Sequence, residues 1–399
     1  MPVAPTTPTP ATGAINSLRP WGGVATFPDV AHEFTGDLTP ALSAAVAKIR
    51  PGARLVSVRP FGIDDAVERD SATLKGTGYG IPLRLEIELR DGSQETLVFH
   101  TAKPDAFGHD RRADRAADML LAFDRFAQIP HHVPALDVGA MSRDGASLVS
   151  LADAGDFYLV TGYAPGHVYA DELRRIAQRG ALGPDDLNHA EALARALAEI
   201  HSEKIDNPLR YTRSIRDLVG SGEGIFGLID AYDPSVDGAP PERMQRIESL
   251  CDDWRWKLKG KHARLARSHG DFHPFNILFS DAHDLALLDS SRGSMGDPAD
   301  DVTCLSINYV FFAVEHPEAW QGAFRVLFHR FFDLYSQLTG DEALLSVCAP
   351  FFAWRGLVIC NPVWYPALSA AARDRMLLLI ERVLSSERFD PKMADEVFA

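Results

Sequence analysis

The chain has 399 residues, 46% of them hydrophobic and 24% charged, with a formal net charge of −15. A chain of this size buries a substantial core and accommodates two lobes. An acid excess of this kind argues against broad binding to nucleic acid or to anionic membrane, since both need basic patches.

Four cysteines, Cys251, Cys304, Cys348 and Cys360, form no C-x-x-C pair. They read as buried free thiols in a reducing compartment, not as zinc ligands or a disulfide framework. The N-terminus lacks the basic and apolar regions of a secretory signal, and no apolar run is long enough to span a bilayer. A cytoplasmic location is expected.

Residues 1–38 read as an N-terminal arm, of which roughly the first 15, rich in Pro and Thr, are expected to be disordered. Residues 39–160 read as a small β-rich lobe. Thr39-Pro40 opens a helix to about Ile49, with the threonine as cap and the proline in the first turn. Leu55 to Phe61 reads as a strand. Lys75-Gly76-Thr77-Gly78-Tyr79-Gly80 precedes Pro82 to Leu89, which alternates with period two. Asp91-Gly92 signals a tight hairpin. Glu95 to Thr101 is the return strand and delivers Lys103 just past its end. Glycines at 76, 78 and 80 let backbone N–H groups approach phosphates closely. A helix is expected within Arg111 to Ala127, and Phe157 to Val160 reads as a strand. It runs into Thr161-Gly162-Tyr163-Ala164-Pro165-Gly166, a Gly/Pro segment of the kind that marks a boundary.

Residues 161–399 read as a larger, mostly helical lobe. Asp171 to Arg179 is a short helix stopped at Gly180. In the next helix Leu187, Ala190, Leu193, Ala194, Leu197 and His201 follow at three- and four-residue spacing, a buried stripe. Arg213 to Gly227 carries four glycines in its last eight residues and reads as a long loop, either a connector or a substrate-ordered segment. Arg216, Asp217 and Glu223 are its candidate substrate contacts. Further helices are expected over Met244 to Leu258, from Pro298 through Phe312, and over Ala319 to Leu338 and Ala370 to Leu384. Arg355, beside Trp354 in an aromatic-rich stretch, is a candidate cation of a substrate pocket.

The segment 267–303 carries the chemistry. Asp271 and Asn276 have the Asp-x4-Asn spacing of a phosphotransferase loop, in which the aspartate receives a hydroxyl proton and the asparagine holds magnesium. Asp289 ends the apolar run Leu285 to Leu288, where a strand delivers a carboxylate to a second metal position. His269 and His273 flank Asp271; His269 reads as a brace for the loop. Asp297 or Asp301 reads as a cap for the following helix.

His269-Gly270-Asp271-x4-Asn276, then Leu288-Asp289, then Gly296-Asp297-Pro298-x-x-Asp301 resembles the signature of the aminoglycoside phosphotransferase and choline kinase-like superfamily. The resemblance implies an α+β, bilobal, protein kinase-like fold. It implies an ATP- and Mg2+-dependent phosphotransferase acting on a hydroxyl of a small molecule: an amino sugar, aminoglycoside, amino alcohol or sugar. It places Lys103 on the nucleotide phosphates, paired with an acid on the following helix, and Thr161 and Tyr163 in the hinge that holds the adenine edge. No Glu lies between Glu95 and Glu172, so the partner of Lys103 is expected to be Asp118, with Asp114 and Asp124 as alternatives. A nucleotide-binding pseudokinase or scaffold is the alternative reading. A protein kinase is disfavoured, because no Ala-Pro-Glu-like segment follows Asp289.

Overall fold

Residues 38–60, 82–290 and 292–398 are described by a computed structural model, and the chain divides into two units between Leu159 and Val160. The first unit is built on an antiparallel sheet of Arg54–Pro60, Leu83–Glu88 and Gln94–Phe99, in that order. Alternation in the middle strand turns Leu85 and Ile87 to one face. Leu42 and Val46 of the helix Thr39–Ile49 pack on that face together with Leu97. The hairpin closes at Asp91-Gly92. Gly92 has φ +85°, and the Asp91 carboxylate accepts from the Ser93 amide at 3.0 Å. Arg50, just past the first helix, forks onto Glu95 through two bonds of 3.0 and 2.9 Å. The helix Arg112–Phe126 and a small hairpin of Gly139–Met141 and Leu148–Ser150 complete the unit. Phe157 to Val160 is not a strand; all four residues lie exposed without regular structure. The glycine segment 75–80 lies outside the described residues.

The second unit is helical around one core. In the helix Asp186–His201 the expected stripe is buried from Ala190 to His201, with Leu187 half-buried, and the helix packs against Arg325–Thr339. Two helices are buried on nearly every face, Ala299–Val314 and Ala349–Cys360, and apolar residues lie all round both of them. They pack on each other and on the helix Ala370–Leu384. Gly356 permits this approach, because a Cβ there would run into Ile380 and reach within 3.3 Å of Ile307 Cδ1.

The stretch 213–227 is not a long loop. Pro208–Gly220 and Ile225–Asp230 are helices, and only residues 221–224 lie between them. Tyr211, Ile215, Leu218 and Val219 are buried at helical spacing, and that apolar face outweighs the glycines. The four cysteines are buried free thiols. Among the described residues no helix is long and apolar enough to cross a membrane.

Buried Arg243 ties three segments together. It donates to Asp374 at 2.6 Å, to the Gly238 carbonyl at 2.7 Å and to Glu381 at 2.8 and 3.1 Å. Breaking a buried pair by removing one partner costs about 3–5 kcal/mol, whereas an exposed pair contributes about 0–1 kcal/mol. Arg243→Met is therefore expected to lower the urea midpoint of the helical unit markedly. Arg54→Met, which breaks the exposed pair with Glu88, should leave unfolding almost unchanged. Equal effects would contradict the assignment.

Candidate active site

Residues 268–276 form a loop whose entry is the short strand Ala266–Arg267, paired with Met295–Gly296. Gly270 takes φ +80°, a conformation that costs a side-chain-bearing residue about 1–2 kcal/mol. That turn aims two successive amides at one carboxylate. The His269 and Gly270 N–H groups donate to Asp301 Oδ2 and Oδ1 at 2.7 and 2.8 Å. Asp301, in the first turn of Ala299–Val314, is 0% exposed. His201 Nε2 lies 3.1 Å from Asp301 Oδ2, and His201 Nδ1 lies 2.7 Å from the Tyr335 hydroxyl. Burial alone would raise the Asp301 pKa. The bond from His201 and those from the loop amides outweigh burial and hold it below the usual carboxylate range.

Asp271 is held by four side chains. Arg292 Nη2 and Arg355 Nη1 both donate to Oδ1, at 2.6 and 2.8 Å. Asn276 Nδ2 reaches the Asp271 carbonyl at 3.1 Å and Oδ2 at 3.3 Å. His273 Nε2 is 3.8 Å from Oδ2. Burial would raise the Asp271 carboxyl, but Arg355 and Arg292 hold it below its ordinary value. Burial pushes the His273 imidazole down. The Phe275 amide donates to His273 Nδ1 at 3.1 Å, which puts the proton of the neutral ring on Nε2, facing Asp271. The Asp271 amide donates to His269 Nδ1 at 3.2 Å, so His269 braces the loop.

A hairpin sets the other two polar anchors. Ile277–Phe279 pairs with Leu285–Leu287 in the register Ile277↔Leu287, and the Leu288 amide donates to the Asn276 carbonyl at 2.9 Å. Asn276 and Asp289 therefore lie at the same open end. Asp289 has φ +50°, uncommon for a non-glycine residue, and it turns the chain back along the loop. Ser290 Oγ and Arg292 Nε then bond the His269 and Gly270 carbonyls at 2.7 and 2.8 Å. The Asn276 side-chain nitrogen is committed to Asp271, which leaves its side-chain carbonyl oxygen available as an acceptor. One neutral and one anionic oxygen fit magnesium, which takes one or two carboxylates and fills its shell with phosphate and water.

Asp297 is not a metal ligand. It is 1% exposed, held by Arg264 at 2.8 and 2.9 Å and by the Tyr211 hydroxyl at 3.0 Å, and it accepts from the Ala299 amide at 3.0 Å as a helix cap. Arg355 is not an open pocket cation either. It is 6% exposed and divided between Asp271, the Gly270 carbonyl and Asp300, the last at 2.6 Å. Arg216 and Asp217 sit on a helix and touch each other at 3.7 Å. Glu223 is exposed, and its carbonyl accepts from the Trp354 indole at 2.7 Å.

In the first unit Lys103 is exposed past its strand. Asp118 pairs with His109 at 2.9 Å and Asp114 with Arg111 at 3.0 Å, so the structure brings neither to Lys103. Gly76, Gly78 and Gly80 lie outside the described residues. Thr161 and Tyr163 are exposed in a segment without regular structure. The sequence reading left out Arg292 and Asp300. Arg292 could have been found as the only cation between Asp289 and Asp297.

The sequence model of the phosphotransferase enzyme family, APH, matches residues 88–339. The chain belongs to that family. It is a phosphotransferase of that family, with the α+β make-up expected from its motifs: antiparallel strands in the first unit and mostly helices in the second. Among curated proteins no sequence matches at a significant level. Among solved structures this phosphotransferase is similar to a glucosamine kinase, at 13% identity over 88% of this chain and 99% of that one, with a TM-score of 0.37. It is similar to the macrolide 2'-phosphotransferase of Brachybacterium faecium at 18% identity over 84% and 96%, with a TM-score of 0.30. It is also similar to a choline kinase of Streptococcus pneumoniae at 13% identity over 86% and 97%, with a TM-score of 0.32. Likenesses this remote carry no substrate across.

Because Asp301 titrates below its ordinary value, it stabilises the fold above its unfolded pKa of about 3.9 and loses that contribution as pH falls through the lower folded value. Asp301→Asn should lower the melting temperature at neutral pH. The gap to wild type should close as pH is taken below about 3.9. A gap that stays constant with pH would show that the carboxylate's charge is not what holds the loop.

Proposed function

We propose that the protein transfers the γ-phosphoryl group of ATP, with Mg2+, to a hydroxyl of a small polar molecule: an amino sugar, aminoglycoside, amino alcohol or sugar. The observation that carries this reading is the convergence of Asp271, Asn276 and Asp289 on one loop and one hairpin end. Phosphoryl transfer asks a protein for positioning and charge stabilisation more than for covalent chemistry. Asp271 orients the acceptor hydroxyl through Oδ2, the oxygen that no arginine occupies. Two guanidiniums keep the carboxylate a weak base, so it takes the acceptor proton late, as the new P–O bond forms and the hydroxyl becomes acidic. Asn276 Oδ1 and the Asp289 carboxylate would hold magnesium, whose charge neutralises the phosphates when it is bound. Lys103 and the glycines at 76, 78 and 80 are assigned to the phosphates, and the backbone at Thr161 and Tyr163 to the adenine edge, on the family resemblance.

The test is transfer from labelled ATP with magnesium across amino sugars, aminoglycosides, amino alcohols and neutral sugars. Asp271→Asn should lower kcat by about 10²–10⁴, the range for loss of a general base, with the KM for ATP little changed. Asp289→Ala should raise the magnesium concentration needed for half-maximal rate. ATP binding without turnover on any acceptor, in a well-folded wild type, would turn the assignment to a nucleotide-binding pseudokinase.

A further inference from the structure

We propose that Arg355, held in turn by Asp300, is the positioning residue of Asp271: it fixes the carboxylate so that Oδ2 faces the acceptor hydroxyl. The proposal rests on the phosphotransferase reading of the site. Four charges alternate in a line. Asp300 accepts from Arg355 Nη2 at 2.6 Å, Arg355 Nη1 donates to Asp271 Oδ1 at 2.8 Å, and Arg292 Nη2 donates to the same Oδ1 at 2.6 Å. One end of the line is anchored in the first turn of Ala299–Val314, where the helix N-terminus favours a carboxylate. The other end, Arg292, lies over the Trp354 ring at 4.1 Å. Arg355 itself stacks on that ring at 4.0 Å.

Both guanidiniums converge on one oxygen. Among the described residues, Oδ2 keeps only the long contacts from Asn276 at 3.3 Å and His273 at 3.8 Å. Saturating one oxygen fixes the rotation of the carboxylate and presents the other. Arg292 does this from a partly exposed side chain, Arg355 from a buried one on a separate helix. Arg355 also donates to the Gly270 carbonyl at 3.1 Å, so it registers the carboxylate against the backbone of its own loop. A purely space-filling role is poorly served by this residue. Its Nε is buried without a partner, and an apolar side chain of similar volume would avoid that cost.

Asp300 and Asp301 thus divide the loop between them. Asp301 holds the amides of His269 and Gly270, and Asp300 acts through Arg355 on the carboxylate of Asp271. Asp300 is itself a positioning residue at one further remove. A lysine at 355 offers a single point charge in place of a fork, so it can hold Asp271 or Asp300 but not both in the present geometry.

The experiment compares wild type, Arg355→Met, Arg355→Lys and Asp300→Asn as full-length folded proteins. Each is assayed with ATP and magnesium, on the acceptor identified by the panel above or on water if none is used. Each is also crystallised. Displacement of a reacting group by about 1 Å costs on the order of 100-fold. Arg355→Met should therefore lose about 100-fold in kcat, with KM for ATP within about twofold of wild type, the mark of an interaction made in the transition state. Arg355→Lys should recover part of that loss, and the crystal structure of Arg355→Met should show the Asp271 carboxylate rotated from its wild-type position. A merely structural arginine would lower the melting temperature without this split or rescue.

The proposal is overturned if Arg355→Met keeps kcat within about threefold of wild type or leaves the Asp271 carboxylate in place. If that variant does not fold, Asp300→Asn decides, since it preserves both volume and the arginine: an unrotated Asp271 overturns the proposal. Absence of any turnover in wild type would instead overturn the phosphotransferase reading, while the crystal structures would still decide whether Arg355 sets the carboxylate.

Discussion

A fully buried carboxylate at Asp301 receives two successive backbone amides, and every other feature of the site is hung from that contact. The left-handed turn at Gly270 exists to point those amides inward. The helix Ala299–Val314 contributes the field of its N-terminus, which makes an ionised group tolerable where there is no water. His201 closes the remaining side of the carboxylate and passes the restraint to Tyr335 on another helix. The loop is therefore fixed to two of the most deeply buried elements of the unit. That rigidity is what a catalytic group needs, since a site built on packed helices holds its geometry better than one on free loops.

Charges of both signs recur through the site in strict alternation. Asp341, Arg264 and Asp297 form one line, through bonds of 2.7 to 2.9 Å, and Asp300, Arg355, Asp271 and Arg292 form another. Each buried charge of the two lines touches at least one of opposite sign, which offsets part of its desolvation cost; beside Asp301, burial still raises the Asp300 carboxyl. The two lines start from neighbouring positions, Asp297 just before one helix and Asp300 within its first turn. A single helix start thereby organises both the scaffold and the Asp271 carboxylate.

The proposed trio of Asp271, Asn276 and Asp289 was legible because it is local. Asp271 and Asn276 are five residues apart, and Asp289 is delivered by a hairpin whose apolar run ends beside it. The helical stripe ending at His201 was legible for the same reason. Arg355 was noticed without its partners, because they lie 84 and 55 residues away in sequence and nothing in its local sequence reports them. Composition misled in the stretch 213–227. Glycines suggested a loop, while the apolar spacing of Tyr211, Ile215, Leu218 and Val219 already described a helix with a buried face. The apolar run Phe157 to Val160 has strand-like residues but no strand, and its four side chains are exposed in the chain.

Gly356 follows Arg355 directly on a helix pressed against Ile307 and Ile380. The missing methyl group sets the spacing of two helices, and one of them begins with Asp300 and Asp301. Aliphatic packing at this crossing is therefore a mechanical gauge for the Asp271 carboxylate, which Arg355 on the same helix holds. A methyl group gained there would be read out as a change in the reach of a guanidinium, and selection on catalysis would be felt by side chains that have no chemistry of their own.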